Sequence, residues 1–353
     1  MHTSQEFYKR QISLSEVGKL GQAKLNKSHV LVVGAGGLGC PVLEYLCAAG
    51  VGHLSICDFD TVDYTNLHRQ VIYCPEDVGL FKASIAAERL SKQNPHIQIT
   101  AHLKAFDLDY PLTNIDLIID CTDNFKAKFI CHDRCYQQGI PLVQASIHKF
   151  EGQLQVFHFH KKKPEEPCLR CLWPITPDKT CVQTCSEAGV LGVVPGVIGS
   201  LQAVEAIKLL LGLPILTHGT TLFINLLNFS SQTISWSKNL ECPLCQNTHV
   251  NLEDVDYGST SSLELSWQQV TEDDYVLINI ANVEQNFIQS NLSSSLEHII
   301  EDTKFLDKKS KIVVFCQRGI TSLKATKLLR SKGYNACYSL KDGLISFRQL
   351  DFL

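Results

Sequence analysis

A glycine-rich turn between a short apolar strand and an apolar helix constrains the fold of this chain more than any other feature. The strand covers His29 to Val33, and the turn follows as Gly34-Ala35-Gly36-Gly37-Leu38-Gly39. The pattern then predicts a helix from Pro41 to about Ala49 and a second strand from His53 to Cys57. Such a βαβ unit is typical of a doubly wound, Rossmann-like α/β sheet.

The same turn predicts a nucleotide site. Glycines let backbone N–H groups approach a phosphate closely, and the helix that follows adds partial positive charge at its N-terminus. Asp58 ends the second strand, where an acidic side chain can bind ribose hydroxyls. These features indicate a nucleotide and leave its identity open.

Length and composition narrow the class of protein. The 353 residues favour two domains, and a hydrophobic content of 44% suffices for ordinary cores. The net charge of -4, with no long basic run, argues against nucleic acid or an anionic membrane as the main partner. Residues 1–27 are polar and charged, unlike a targeting peptide, and no transmembrane span is expected. We therefore expect a cytoplasmic protein.

The cysteines predict a metal site. The chain has 15 of them, and in a reducing compartment metal binding, nucleophiles and core packing explain them better than disulfides. Two C-x-x-C pairs are flanked by proline or charge, and their wide separation predicts a closed, structural zinc site of four cysteines that joins distant segments. Its ligands would be Cys168, Cys171, Cys242 and Cys245. Five cysteines within apolar runs are predicted core residues: Cys40, Cys47, Cys57, Cys121 and Cys131.

Polar residues after Asp58 suit an anionic ligand. Asn66 and Arg69 would share one face of a helical turn, and the planar guanidinium could bind phosphate. A salt-bridged surface loop is the alternative.

Two further residues point to the same ligand. Lys82 lies in the first turn of a helix predicted over residues 79–94, where a cation is unfavourable unless an anion is near. Asp123 follows a strand predicted from Ile115 to Cys121, at the sheet edge where α/β proteins bind ligands, so it could meet substrate or magnesium. Further strands, and one helix from Ser200 to Leu211, complete a sheet that becomes mixed at one edge; the strands are Ile97 to Ala101, Pro141 to Ala145, Gly152 to Phe159 and Thr221 to Phe229.

The chain divides after the second cysteine pair. We predict a first domain at residues 1–247, a polar linker at 248–265 and a small α/β domain at 266–353. The small domain is predicted to contain strands Tyr275 to Ile280, Lys311 to Phe315 and Ala336 to Leu340, and helices Ser295 to Thr303 and Ser322 to Lys332.

Two cysteines are candidate nucleophiles. Cys185 lies between the zinc pairs and outside any apolar run. Cys316 ends the middle strand of the small domain, where loop amides and a helix dipole would stabilise a thiolate or persulfide.

Residues 5–247 resemble adenylyltransferases of the HesA/MoeB/ThiF type, which activate ubiquitin-like sulfur carriers and are related to ubiquitin-activating enzymes. The shared features occur in the family's order and are Arg10-Gln11, the glycine turn, Asp58-Phe-Asp-Thr-Val, Asn66-Leu-His-Arg-Gln70, Gly79-x-x-Lys82, Cys121-Thr-Asp-Asn124, both C-x-x-C pairs, and Cys185 before Glu-Ala-Gly-Val.

The resemblance implies ATP and Mg2+ as partners, with a carrier protein whose C-terminal Gly-Gly carboxylate attacks the α-phosphate. Gly37 would approach phosphate, Asp58 would bind ribose, and Asp123 would hold the magnesium. Asn66, Arg69 and Lys82 would hold the triphosphate, and Arg10 would reach it from the other subunit of a homodimer. The remaining nucleotide-site positions of the family correspond to Gly34, Gly36, Gly39, Asp60, Thr65, Leu67, His68 and Asn124.

The C-terminal part resembles a rhodanese domain. The resemblance implies that Cys316 carries a persulfide, supplied by a cysteine desulfurase or thiosulfate, and that its sulfur converts the adenylated carrier to a thiocarboxylate. Cys185 matches a family cysteine that in some relatives links covalently to the carrier. The chain departs from rhodaneses at Asn279 and Asn282, where aspartate and arginine are usual, and at Gln317, which is often arginine.

Two alternatives remain at this stage. An NAD-dependent oxidoreductase would use the same glycine turn and Asp58, but it gives Arg10, Asn66, Arg69 and Lys82 no function. A non-catalytic adenylyltransferase fold, or an inert docking rhodanese domain, is the second. The carrier also stays open, because molybdenum-cofactor, thiamine and tRNA-thiolation pathways share this chemistry.

Overall fold

The computed structural model describes residues 4–159, 166–177, 189–245, 250–255, 257, 263–271, 274–280, 292–301, 303, 306–317, 319–341 and 343–344. The described residues up to 257 form one compact unit, and those from 263 onward form a second.

The first unit is built on a mixed sheet of eight strands. In chain order its elements are α1 (Ser4–Phe7), α2 (Lys9–Ile12), α3 (Gly18–Leu25), β1 (His29–Val33), α4 (Gly39–Ala49), β2 (His53–Cys57), α5 (Lys82–Gln93), β3 (Gln98–His102), β4 (Leu117–Asp120), α6 (Phe125–Gln138), β5 (Leu142–His148), β6 (Glu151–Phe157), α7 (Leu169–Leu172), α8 (Val193–Leu211), β7 (Thr220–Asn225) and β8 (Ser230–Ser235). The strand order is β3-β2-β1-β4-β5-β6-β7-β8, parallel from β3 to β5 and antiparallel beyond. The predicted doubly wound sheet that becomes mixed at one edge is confirmed.

Helices cover both faces of the sheet because the central strands are apolar on both sides. In β1, Val30 and Val32 enter the core beneath α4, α5 and α8, whereas Leu31 and Val33 enter the core beneath α6. Successive side chains of a strand point to opposite faces, so one apolar run supplies both cores. The order of the strands brings the carboxyl ends of β1, β2 and β4 to one edge.

Helix α8 begins seven residues before the predicted start at Ser200. Glycine is unfavourable inside a helix, so the sequence of these first turns does not predict one, but Gly199 is required by close packing. A Cβ at Gly199 would lie 2.5 Å from the carbonyl oxygen of Leu38, at the start of α4. Within the described residues, α8 alone is long and apolar enough to cross a membrane by length and composition, and 44% of its apolar window is buried in this fold. It packs against α4, β5 and β6 as a core helix does.

Two predicted boundaries in the first unit are wrong for identifiable reasons. Helix α5 begins at Lys82 rather than 79, because Gly79 has a φ of 90° and Phe81 forms an antiparallel bridge with Thr61. The strand predicted to reach Phe229 ends at Asn225, and the chain turns back into β8. Strand β8 was not predicted, because all its side chains are exposed and no apolar alternation marks it.

The second unit is a parallel sheet of five strands. Its elements are β9 (Glu264–Leu265), α9 (Trp267–Thr271), β10 (Val276–Asn279), β11 (Leu292–Ser293), α10 (Leu296–Glu301), β12 (Ile312–Phe315), α11 (Ile320–Ser331) and β13 (Cys337–Leu340), and the strand order is β11-β10-β12-β13-β9. Three strands and two helices were predicted, whereas β9, β11 and α9 are too short to leave a periodic pattern.

The predicted linker at 248–265 includes residues that pack on the first unit. Leu252 and Tyr257 are buried in the core beneath α6, each with 5% of its surface exposed. We propose that the boundary between the units follows Tyr257.

Candidate functional site

The glycine turn joins β1 to α4, and two of its glycines are required by close packing. Gly34 has a φ of 95°, and a Cβ there would lie 2.9 Å from the carbonyl oxygen of Cys121. A Cβ at Gly39 would lie 2.0 Å from the oxygen of Gly34. The turn is therefore packed against the end of β4, and only glycine can occupy these positions without displacing the backbone.

The other two glycines lie beside polar side chains. A Cβ at Gly36 would lie 3.6 Å from Nε2 of Gln70, and one at Gly37 would lie 3.6 Å from Cγ of Arg69. The segment after β2 is thus brought directly against the glycine turn.

Asp58 braces this turn. Its Oδ2 accepts the backbone N–H of Ala35 at 2.7 Å, and its Oδ1 accepts that of Asp60 at 2.8 Å. The hydroxyl of Tyr73 donates to the oxygen of Ala35 at 2.8 Å, so both ends of that residue are fixed. Burial raises the pKa of the Asp58 carboxyl, while Lys82 and the two N–H donors oppose the rise.

Asn66 and Arg69 share one face of a helical turn, as predicted. Nη2 of Arg69 donates to Oδ1 of Asn66 at 2.5 Å, and Nη1 donates to the oxygen of Thr65 at 3.2 Å. Asp63 caps this turn, and its hydrogen bonds from Thr65 lower the pKa of the Asp63 carboxyl. His68 bonds the oxygen of Thr65 through Nδ1.

Lys82 is buried at the start of α5 and forms an ion pair with Asp60. The Nζ to Oδ2 distance is 2.9 Å, and the lysine side chain is 6% exposed whereas that of Asp60 is 54% exposed. The anion expected beside this helix N-terminus is a carboxylate at the protein surface. An anionic ligand could bind Lys82 together with this carboxylate or in its place.

Asp123 is exposed just beyond β4, on a loop that the buried Asp120 stabilises by hydrogen bonds. Oδ1 of Asp120 accepts both the N–H and the hydroxyl of Thr122, at 2.9 and 2.6 Å. Its Oδ2 accepts from Nζ of Lys128 at 3.1 Å and from Nε2 of Gln144 at 2.8 Å. Asn124, predicted to contact nucleotide, caps α6 by accepting the N–H of Ala127.

Arg10 is exposed on α2, which packs at the opposite end of α4 from the glycine turn. Nε2 of Gln11 donates to the oxygen of Ala49, the last residue of that helix. Helix α4 has 11 residues, so this contact is about 16 Å along its axis from the glycine turn of the same chain.

The four predicted zinc ligands form a compact cluster. Their sulfur atoms lie within 4.8 Å of one another, with contacts of 3.2, 3.6, 3.6 and 3.9 Å. A tetrahedral zinc site with four Zn–S bonds of about 2.3 Å has S–S edges of about 3.8 Å, so the donor set fits a zinc ion. A hydrogen bond from Cys168 lowers the pKa of Cys171 to about 6, whereas contacts with the other three thiols raise the pKa of Cys168. The five predicted core cysteines are all buried.

In the second unit, Cys316 lies at the carboxyl end of β12 and the N-terminus of α11. Its Sγ accepts the N–H of Ser322 at 3.3 Å and lies 3.4 Å from that residue's Oγ. Ser322 is held in turn by the oxygen of Gly319 at 3.0 Å and by Oγ of Ser339 at 2.9 Å. Cys316 is 5% exposed. The predicted sites at Cys185 and Asn282 lie outside the described residues.

The fold and these sites define the class. The chain belongs to the ThiF family, whose model matches residues 8–244, and a rhodanese-like domain matches residues 276–350.

Particular relatives resemble this chain closely. The sulfur carrier protein adenylyltransferase of Thermus thermophilus is 42% identical over 72% of this chain and 96% of that protein. The SAMP-activating enzyme E1 of Haloferax volcanii is 39% identical over 74% of this chain and 97% of that protein. The adenylyltransferase and sulfurtransferase UBA4 of Kluyveromyces lactis is 33% identical over 95% of this chain and 84% of that protein. The E. coli MccB structure with ATP has a TM-score of 0.58 over 69% of this chain and 74% of that chain at 19% identity, which shows the fold.

Proposed function

We propose that this chain uses ATP to adenylate the C-terminal glycine of a ubiquitin-like sulfur carrier and then transfers sulfur from a persulfide on Cys316. One observation carries the proposal. The glycine turn, Arg69, Lys82 and Asp123 meet at one edge of the first sheet, in a chain whose second unit holds a cysteine at a helix N-terminus.

The adenylation step needs cations more than it needs a base. The carrier's carboxylate is already ionised and attacks the α-phosphorus, with pyrophosphate as leaving group. Arg69 and Lys82 would neutralise the triphosphate, and the amides of the glycine turn would hold the α-phosphate. Asn66 would orient Arg69, and Asp58 would add a ribose contact to its support of the turn.

We assign the magnesium to Asp123. Its exposed carboxylate, on a loop that lies against Gly34, offers the hard oxygen ligand that this ion prefers. When bound, Mg2+ neutralises phosphate charge and orients the pyrophosphate group.

Arg10 would act on the nucleotide of a second copy of this chain. Within one chain it lies at the wrong end of α4, whereas in a homodimer it could add a further cation to the partner's site.

Sulfur transfer would begin with a persulfide on Cys316, derived from thiosulfate or a cysteine desulfurase. The terminal sulfur attacks the carrier's acyl-adenylate and displaces AMP, forming an acyl disulfide. A thiol then cleaves that disulfide and releases the thiocarboxylate. An external thiol supplies this step, and a second one would reduce the mixed disulfide left on Cys316. Cys185 is a candidate for a covalent link with the carrier.

The cluster of four cysteines would hold a structural Zn2+, because four thiolates fill the tetrahedron and leave no open position. The name of the Thermus thermophilus relative supports a sulfur carrier protein as the substrate. The reduced thiols that this chemistry needs suit the cytoplasm.

Pyrophosphate exchange tests the first step. Full-length protein is given Mg-ATP, labelled pyrophosphate and small host proteins that end in Gly-Gly. We expect label to enter ATP only with the correct carrier, and the carrier to gain the mass of AMP. Failure to bind ATP, or no exchange with any carrier, would overturn the proposal, and a thermal shift with NAD in place of ATP would favour the oxidoreductase.

Cys316→Ser tests the second step. Because the cysteine is in a separate unit, we expect normal pyrophosphate exchange and loss of thiocarboxylate, measured by carrier mass. The matched control is Cys337→Ser, since burial raises the pKa of Cys337 to about 12 and makes that thiol unreactive. Thiocarboxylate formation that survives Cys316→Ser would mean that the rhodanese unit only docks.

A further inference from the structure

The first cysteine pair is held by a buried polar network that is independent of the metal. Cys168 and Cys171 are joined by Leu169 and Arg170, and the side chain of Arg170 is directed toward α6. Its Nη2 lies 2.8 Å and its Nε 3.1 Å from Oδ2 of Asp133. Its Nη1 donates to Oγ1 of Thr176 at 3.1 Å.

His132 fixes the backbone of the same segment. Its Nε2 accepts the N–H of Leu169 at 2.9 Å, so the ring proton must be on Nδ1, which donates to Oδ1 of Asp133 at 2.7 Å. His132 and Asp133 are fully buried, and Arg170 is 2% exposed. The single negative charge of Asp133 is therefore matched by one guanidinium and one neutral imidazole.

A second histidine holds the other side of the segment. Nδ1 of His218 accepts the N–H of His158 at 3.2 Å, which places its proton on Nε2, and Nε2 donates to the oxygen of Pro167 at 2.8 Å. Arg170 also lies over the ring of Phe129, with 4.5 Å from Cζ to the ring centre.

The second pair has a different kind of support. Cys242 donates its N–H to the oxygen of Asn239 at 3.1 Å, and the N–H of Cys245 points to Sγ of Cys242 at 3.4 Å. One of these two bonds therefore ends on a sulfur atom that the metal would bind.

We propose that His132, Asp133 and Arg170 hold the first cysteine pair in ligand geometry before metal arrives. Metal binding then mainly orders residues 239–245, which carry the second cysteine pair. A buried ion pair is a costly way to gain stability, but it can position a ligand whose partners are preorganised. The inference rests on the structural metal proposed above and is independent of adenylation.

Hydrogen–deuterium exchange of the full-length protein tests this directly. The metal content is first measured by mass spectrometry, and a protein purified without metal would refute the metal proposal itself. A chelator is then added. We expect amides in 239–245 to exchange at least ten times faster while those in 167–172 keep their protection. Equal loss in both segments, or no change in either, would overturn the inference.

A paired variant gives a second test. Asp133→Leu with Arg170→Met removes both charges together, which buried pairs tolerate far better than loss of one partner. We expect at least ten times faster release of metal to a coloured chelator, and loss of protection at 167–172. The matched control, Glu205→Gln, disrupts the Glu205–Lys208 ion pair of the same unit and should release metal at the wild-type rate. Wild-type release from the paired variant would contradict the proposal.

Discussion

Gln70 is a buried side chain at the glycine turn with an unpaired polar atom. It is 4% exposed, and its Oε1 has no hydrogen-bond partner among the described residues, although its amide nitrogen lies against Gly36. Leaving a buried acceptor unpaired costs about 1–3 kcal/mol. Such a cost at a ligand site is understandable if the amide finds its partner in the bound nucleotide or in the water around it.

Gln70→Leu should therefore separate stability from binding. We expect an unchanged or higher Tm for the free protein, because the unpaired amide is removed, and a smaller rise of Tm on adding Mg-ATP. The matched control is Gln155→Leu. Gln155 is also buried, but it donates to Oγ1 of Thr221 at 2.7 Å, so its loss should lower Tm and leave the ATP shift intact. A lower Tm with a normal ATP shift for Gln70→Leu would assign that residue to the fold alone.

Lys82 and Lys92 allow a comparison within one helix. Lys82 begins α5 with a buried side chain that pairs with the exposed Asp60, whereas Lys92 is exposed and pairs with the exposed Glu88. We expect Lys82→Met to lower pyrophosphate exchange by about two orders of magnitude, as for loss of one transition-state contact. Lys92→Met should change neither exchange nor Tm, since exposed pairs contribute little. Similar exchange rates for the two variants would remove Lys82 from the proposed site.

Sequence alone can propose candidate site residues that belong to a local pattern, but it misses residues that only the fold brings together. Arg69, Lys82 and Asp123 could be found because each follows a strand or begins a helix. Asp120 and Lys128 could not, because their pairing beneath the Thr122 loop depends on how α6 packs against β4. The sequence offered one indication of this pair, since Asp120 and Lys128 are charged residues in otherwise apolar segments.

At the scale of elements, β1, β2 and β3 carry histidines on one face of the sheet. The rings of His29 and His53 stack at 3.8 Å, and burial lowers the pKa of His29, His53 and His102. Sequence predicts an element well where apolar residues recur at its spacing or glycines mark the adjoining turn, as for β1 and α4. Strand β8 and the start of α8 were not, since one lacks a buried face and the other uses glycine for packing.

The histidine face predicts acid sensitivity. In the folded state these histidines have pKa values below their unfolded value of about 6.5. When the pH falls below that value, the histidines of the unfolded chain bind more protons than those of the folded protein, so the free energy of unfolding decreases. Above that value the histidines are neutral in both states and do not affect stability. We expect the urea midpoint to drop between pH 7.5 and 5.5, and to drop less in His53→Gln. The exposed His96→Gln should behave as wild type, and an equal drop in all three proteins would contradict this account.

At the scale of the whole molecule, the chain joins two α/β units with different chemistry. The first collects cations and a glycine turn at the carboxyl ends of β1, β2 and β4, and the second presents Cys316 at the end of β12. Sequence predicted two such units, because two sets of α/β elements lie on either side of a polar stretch of chain. The boundary that we propose after Tyr257 falls inside the predicted linker, because Leu252 and Tyr257 pack on the first unit through contacts that leave no periodic pattern.

Gln11 binds the end of α4 that is far from the glycine turn, so its neighbour Arg10 could act only on the site of a second chain. A mixture of two inactive variants should then regain activity. Suppose that one population carries Arg10→Ala and the other Lys82→Ala, each inactive by itself. If Arg10 of each chain reaches the site of the other chain in a twofold dimer, a dimer of the two variants contains one site with both cations and one site with neither. Random reassortment makes half of the pairs hybrid, so blending should restore about a quarter of normal exchange. A blend as inactive as its parents would mean that each polypeptide works alone.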